Sequence, residues 1–151
     1  MIFPDGVPVY GDKSFRDKKC PKEDAELITF FNQLRRRSPA LAAVALHIKN
    51  EGQRTGEQAI RERAKGALKT GATDIVITAS RSFICELKRK DHTLSRLEGA
   101  QKQQLLAGME VGAFACIALG WEAAFEALEA FIDTLPKAVR ARIQYTVELI
   151  L

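Results

Sequence analysis

Cysteine and histidine are scarce in this chain: three cysteines (Cys20, Cys85, Cys116) and two histidines (His47, His92) in 151 residues. An odd number of scattered thiols with no CxxC pair excludes a disulfide framework, and two histidines argue against a His-based zinc site. With 5 prolines and 10 glycines the chain is neither collagen-like nor low in complexity, and 46% apolar residues are too many for a disordered segment. No apolar run reaches the ~18 residues a membrane span needs. The longest, around 111–120, is about strand length. The start, Met1-Ile2-Phe3-Pro4-Asp5, has no basic region leading into an apolar one, so no secretory signal is expected. Reduced thiols in a cytoplasm are the expected setting.

Charge is plentiful and unevenly spread. Residues 1–104 carry 20 Lys/Arg against 13 Asp/Glu, a net of +7, whereas residues 105–151 carry 3 against 6, a net of −3. Basic runs such as Lys18-Lys19, Arg35-Arg36-Arg37 and Lys88-Arg89-Lys90 sit in the first two-thirds. A one-sided positive excess is the footprint expected for a polyanionic partner, although solvated surface lysines give the same composition.

The chain reads as one domain with an extension at each end. Residues 1–21 hold three of the five prolines and a cluster of lysines, and read as a loose arm or edge extension. Leu27, Phe30, Phe31 and Leu34 recur at helical spacing, predicting a helix over 22–37 that Pro39 ends. Alternation of Val44, Leu46 and Ile48 predicts a strand over 42–48. Thr55 with Gln58 is a capping-box signature for a helix to about Lys69, with Ile60, Ala64 and Leu68 on one stripe. Asp74–Thr78 and Phe83–Lys88 read as a hairpin. Asp91–Leu94 reads as a loop, and Ser95 with Glu98 as a second capping box opening a helix to about Met109. A strand over Ala113–Leu119, a helix over Trp121–Asp133 and a last helix after Pro136 follow. Helices alternating with strands predict an α/β fold with a mixed β-sheet flanked by helices, the last strand parallel to Phe83–Lys88.

The hairpin carries the chemical anomaly. Along Phe83–Lys88, Phe83, Cys85 and Leu87 face one way and Ile84, Glu86 and Lys88 the other. A three-residue turn sets Asp74 opposite Glu86; a four-residue turn sets it one position off. Either way two carboxylates converge at one end of an apolar hairpin, where they repel unless a proton or a cation lies between them. Mg²⁺, an oxygen-seeking ion often held by one or two carboxylates, suits such a pair, and Lys88 beside it could orient water or offset negative charge. The same spacing also occurs in exposed edge pairs of no function.

Gly71-Ala72-Thr73-Asp74-Ile75-Val76-Ile77 followed by Phe83-Ile84-Cys85-Glu86-Leu87-Lys88 resembles the motif core of the PD-(D/E)XK nuclease superfamily, with Thr73 where a proline is usual. The wider pattern resembles its VRR-NUC family, the small stand-alone phage members in particular. It includes His47-Ile48-Lys49-Asn50-Glu51-Gly52-Gln53-Arg54-Thr55, Leu94-Ser95, Gln101, Gly112, the apolar strand 113–119 and Gly120-Trp121-Glu122-Ala123. The likeness spans about residues 22–133, within a domain taken as 22–135. The 136–151 helix falls outside it and either packs on the domain or forms a dimer seam.

The resemblance implies a restriction-endonuclease-like core and a Mg²⁺- or Mn²⁺-dependent DNA endonuclease leaving 5′-phosphate and 3′-hydroxyl ends. It implies Asp74, Glu86 and the Leu87 backbone carbonyl as metal ligands and Lys88 as the motif lysine. Gln101 is its glutamine, with Gln103 or Gln104 as alternatives, and Glu23 its first-helix glutamate, with Glu26 as runner-up. DNA contacts are expected from His47, Asn50, Arg54 and Lys90. His47, Asn50 and Arg54 also admit plain structural roles in a polar turn before a helix. Branched DNA such as Holliday junctions, a homodimer and a cytoplasmic location (the bacterial host's, for a phage protein) complete the expectation. A non-catalytic binding module on the same fold, or a metal-dependent phosphatase using the same carboxylates, are the competing readings.

Overall fold

The computed structural model describes residues 1–48, 55–66 and 71–146. A five-stranded mixed sheet runs β1 (Val9–Tyr10), β5 (Phe114–Leu119), β4 (Phe83–Lys88), β3 (Ile75–Ile77), β2 (Ala45–Leu46) in spatial order. β4 lies parallel to β5 and antiparallel to β3, so the hairpin and the helical crossover are both present as expected. β4 is buried along its whole length, which follows from its central place between two covered faces.

Strand alternation divides the core in two. Phe83, Cys85 and Leu87 face helices α1 (Glu23–Arg37) and α5 (Trp121–Asp133), packing with Phe30, Leu34, Phe125, Leu128 and Phe131. The Phe30 and Phe125 rings stack at 4.8 Å, and Phe83 meets Phe131 at 5.3 Å. Ile84 faces the other way with Ile117 and Leu119, under Leu105 of α4 (Gly99–Glu110). α5 has alanines or larger apolar residues at 124, 127, 128 and 131, all fully buried, and this stripe is what makes it a core helix.

Several boundaries differ from the sequence reading. Pro39 ends α1 but also opens a one-turn helix α2 (Pro39–Ala42), because Ser38 turns extended and its Oγ accepts from the Leu41 N–H. That leaves only Ala45–Leu46 of the expected 42–48 strand in the sheet. Helix α3 (Gly56–Ala64) has the Thr55–Gln58 capping box, but its Ile60 stays 67% exposed, so local capping rather than burial of a stripe defines it. Leu68 lies outside the described residues. Asp91–Leu94 forms a 3₁₀ turn (His92–Leu94) capped by Asp91. The capping box of α4 pairs Glu98 with Gln101, not Ser95 with Glu98. Ser95 is drawn away by long-range bonds described below. Helix α6 (Lys137–Ile143) packs at the far end of α1, where the Ser38 hydroxyl donates to the Ile143 carbonyl at 2.8 Å. The expected helix continues past Ile143, but Gln144 turns left-handed (φ 50°) and ends it there; Val147 and Ile150 lie outside the described residues.

Residues 1–21 carry the edge strand β1, parallel to β5, and bury Val7 and Cys20. Gly71 and Gly120 hold the chain around the site. Gly71 has φ +79°, and a Cβ there would collide with the Ala100 backbone. Gly120 has φ +92°, a turn from β5 into α5 that L-residues with side chains rarely make.

Candidate active site

The ladder between β3 and β4 pairs Ile75 with Cys85. One step further along that register Asp74 stands opposite Glu86, the first of the two alternatives left open by the hairpin turn. Where β3 stops, Asp74 replaces the missing main-chain acceptor: its Oδ2 accepts the Leu87 N–H at 2.9 Å. Its carbonyl lies 2.7 Å from His47 Nδ1, which therefore carries the proton.

Glu86 is only 1% exposed. Its Oε1 accepts from the Gln101 amide at 2.7 Å and sits 3.3 Å from Lys88 Nζ, whereas Oε2 is buried with no donor among the described residues. Burial, followed by the charge of Asp74, pushes the Glu86 carboxyl up to about 9, against the opposing pull of Lys88. Facing acceptor oxygens of two carboxylates cannot bond to each other without a proton or cation between them, and that is the condition of Glu86 Oε2.

Lys88 is 3% exposed. Its ammonium lies 3.3 Å from Glu86 Oε1, 3.4 Å from Gln101 Oε1 and 4.0 Å from Glu23 Oε1. Gln101 Oε1 also accepts the Glu98 N–H at 2.9 Å, so one amide caps α4 and orients both charged side chains of β4. Among the three candidate glutamines, Gln101 is the one bonded to Glu86 and Lys88.

The two glutamates of α1 separate. Glu23 borders a small cleft of about 40 Å³ lined also by Asp24, Leu27, His47, Asp74 and Leu87. Its Oε1 accepts from the Ser95 hydroxyl at 3.0 Å, and Ser95 Oγ in turn accepts the Arg89 N–H. Glu26 is buried on another side and accepts the Trp121 N–H at 2.8 Å, capping α5.

Glu23, Asp74, Glu86, Lys88 and Gln101 thus converge from α1, the start of β3, β4 and α4, with the Leu87 backbone beside them. His47 joins them at the cleft. Lys90 does not enter this cluster; its ammonium lies 4.7 Å from the Phe15 ring of the N-terminal segment. Asn50 and Arg54 lie outside the described residues. Sequence reasoning missed Ser95 as the link between Arg89 and Glu23. Its helix-cap signature hid that role, and no local signal shows a partner 72 residues away.

The donor set is all oxygen. The Asp74 and Glu86 oxygens suit a hard divalent cation, which commonly keeps several waters, rather than a thiolate- or imidazole-seeking one. Cys85 lies beneath the site, but its thiol is pushed well up by the hydrogen bond with Cys116 and by complete burial, which leaves it protonated and unreactive.

No protein-family model matches the chain, and no curated protein matches it. Among solved structures it is similar to that of a VRR_NUC domain protein, with a TM-score of 0.60 and 19% identity, covering 76% of this chain and 91% of the other. At that identity the likeness is one of fold. The mixed sheet flanked by helices is the restriction-endonuclease-like architecture that the motif resemblance implied.

Proposed function

We propose that this domain, nuclease-like in fold, is a divalent-metal-dependent DNA endonuclease that hydrolyses phosphodiester bonds. The observation that carries the reading is Glu86: a buried carboxyl opposite Asp74, with one oxygen that finds no hydrogen-bond donor among the described residues. Asp74, Glu86 and the Leu87 carbonyl are the residues that would hold Mg²⁺ or Mn²⁺. When bound, the cation would supply the charge that polarises a scissile phosphate and lowers the pKa of a water.

The chain's own side chains do the remaining work in this reading. Gln101 fixes Glu86 through its N–H and Lys88 through its carbonyl, so neither rotates away. Lys88 sets a positive charge where it can orient the attacking water and offset charge growing on the phosphate oxygens. Glu23 steadies Lys88 from the cleft wall, and His47 braces the Asp74 main chain. Attack is in line, and the leaving 3′ oxygen takes its proton from solvent.

The motif resemblance supports branched DNA, such as four-way junctions, as the substrate and a homodimer as the acting form. Two symmetric nicks need two sites, and each chain offers one. It also supports a cytoplasmic setting. Among the described residues, no helix is long and apolar enough to cross a membrane.

Incubation with Mg²⁺ and a labelled four-way junction tests the reading. Nicks with 5′-phosphate ends are expected, suppressed by EDTA, and Asp74→Asn and Glu86→Gln should bind the junction without cutting it. A junction that is bound but stays intact with the wild-type chain would identify a non-catalytic binding module instead.

A further inference from the structure

The N-terminal segment before α1 is fastened to the loop that follows β4. Its backbone is clamped by groups that follow the catalytic strand. The Arg89 guanidinium donates to the Cys20 and Pro21 carbonyls at 2.6 and 3.1 Å. Buried Asp91 accepts the Asp17 N–H at 3.0 Å, and the His92 ring lies 3.1 Å from the Lys13 carbonyl. Arg89 directly follows Lys88, and Lys22 directly precedes Glu23. The segment is thus tied at Cys20 and Pro21, through Arg89 and Ser95, to Glu23 on the wall of the cleft.

Its charges are sorted. The acids are turned onto main chain: Asp12 accepts the Ser14 N–H at 2.8 Å and Asp17 the Lys19 N–H at 2.9 Å. Arg16 is folded onto the Lys13 and Phe15 carbonyls, and the Lys13 ammonium lies over the Phe3 ring. Lys18, Lys19 and Lys22 remain. All three are exposed, and among the described residues no acid pairs with them. The cation inside the site, Lys88, is already committed to Glu86 and Gln101. A polyanion approaching Asp74, Glu23 and Asp24 meets negative charge that cations on the rim offset.

We infer that residues 17–22 form a strap that binds the sugar-phosphate backbone of the nucleic-acid substrate next to the scissile bond, through Lys18, Lys19 and Lys22. This rests on the nuclease reading above. The contacts are to phosphates, so they set register and affinity without reading sequence.

The test compares Lys18→Gln/Lys19→Gln/Lys22→Gln with the wild-type chain and with a charge-matched control on α6, Lys137→Gln/Arg140→Gln/Arg142→Gln. α6 lies at the opposite end of the 15-residue α1, roughly 20 Å from the strap. Binding of fluorescent single-stranded and duplex DNA is measured in EDTA across a salt series. Each lost phosphate contact lowers the log–log salt slope by about 0.7 for single strands and about 0.9 for duplex, so the strap variant should lose about 2 to 3. Its affinity near 0.1 M salt should fall on the order of 100-fold. The control should keep the wild-type slope. A strap variant with the wild-type slope, or a control that loses as much, overturns the strap and leaves the nuclease reading standing. A wild-type chain that binds neither these DNAs nor a four-way junction defeats both.

Discussion

Without metal, the protein should lose stability as pH rises, and Glu86 should be the cause. In the unfolded chain this carboxyl titrates near 4.5; in the fold it is pushed up to about 9 by burial and by Asp74. Between those values the native state keeps a proton that the unfolded state has released, so the free energy of unfolding falls with rising pH. The contribution is complete below 4.5 and gone above about 9. At ~1.4 kcal/mol per pH unit, raising the pH from 5 to 8 should cost about 4 kcal/mol. Glu86→Gln is neutral throughout and lacks this dependence. Urea unfolding of both chains in EDTA at pH 5 and pH 8 isolates the effect, because every other titrating group is shared. The advantage of Glu86→Gln should grow by about 4 kcal/mol across that range, or by about 10 °C in Tm for a domain of this size. Millimolar Mg²⁺ should close the gap for the wild-type chain and leave Glu86→Gln unmoved. Parallel pH profiles in the two chains would refute the reasoning, since they would mean that Glu86 ionises as freely in the fold as in water.

Four further outcomes follow from the geometry. Glu26→Ala removes the cap on the Trp121 N–H and should lower stability by about 1–2 kcal/mol in thermal melts while leaving cleavage per folded molecule intact. Glu23→Ala should instead lower kcat with little change in Tm; the reverse pattern would exchange the two roles. Gly71→Ala forces a Cβ into the Ala100 backbone at a positive φ and should cost several kcal/mol, read as a large drop in Tm, and a silent substitution would contradict the close approach of that turn to α4. Gln101→Leu strips a donor from Glu86 and an acceptor from Lys88 and the Glu98 N–H, so a loss of about 2–3 kcal/mol together with most cleavage is expected in urea titrations and nicking assays.

The sequence exposes those parts of this fold that local physics decides. Phe83–Lys88 and Trp121–Asp133 stand at the expected residues because alternation of Phe83, Cys85 and Leu87 with Glu86 and Lys88 marks the one, and a 3.6-residue apolar stripe the other. The Thr55–Gln58 cap is equally local. Short edge elements are harder: β2 and β1 are two residues each, held by pairing with a strand already present, and no periodicity fits in two residues. The choice between Glu23 and Glu26 was invisible to periodicity alone. They lie three apart on one helix, and what separates them is the entry of α5 at Trp121, a contact 95 residues away. Ser95 misled for a related reason. Its hydroxyl suits a helix start, but Glu23 and the Arg89 amide compete for it and win. The motif resemblance supplied what spacing alone left open, that a carboxylate pair on a hairpin belongs with a lysine two residues on and a glutamine on the next helix.

The convergence of α1, β3, β4 and α4 on Glu86 also governs when in folding the site can exist. Its groups lie at positions 23, 74, 86 and 101. The hairpin alone can set Asp74 opposite Glu86, but Glu23 and Gln101 join them only when α1 and α4 close further loops onto it. The amide of Leu87, held by the Asp74 side chain at the tip of the ladder rather than by a neighbouring strand, exchanges its hydrogen when Asp74 lets go, so its protection reads out how often the carboxylate pair comes apart.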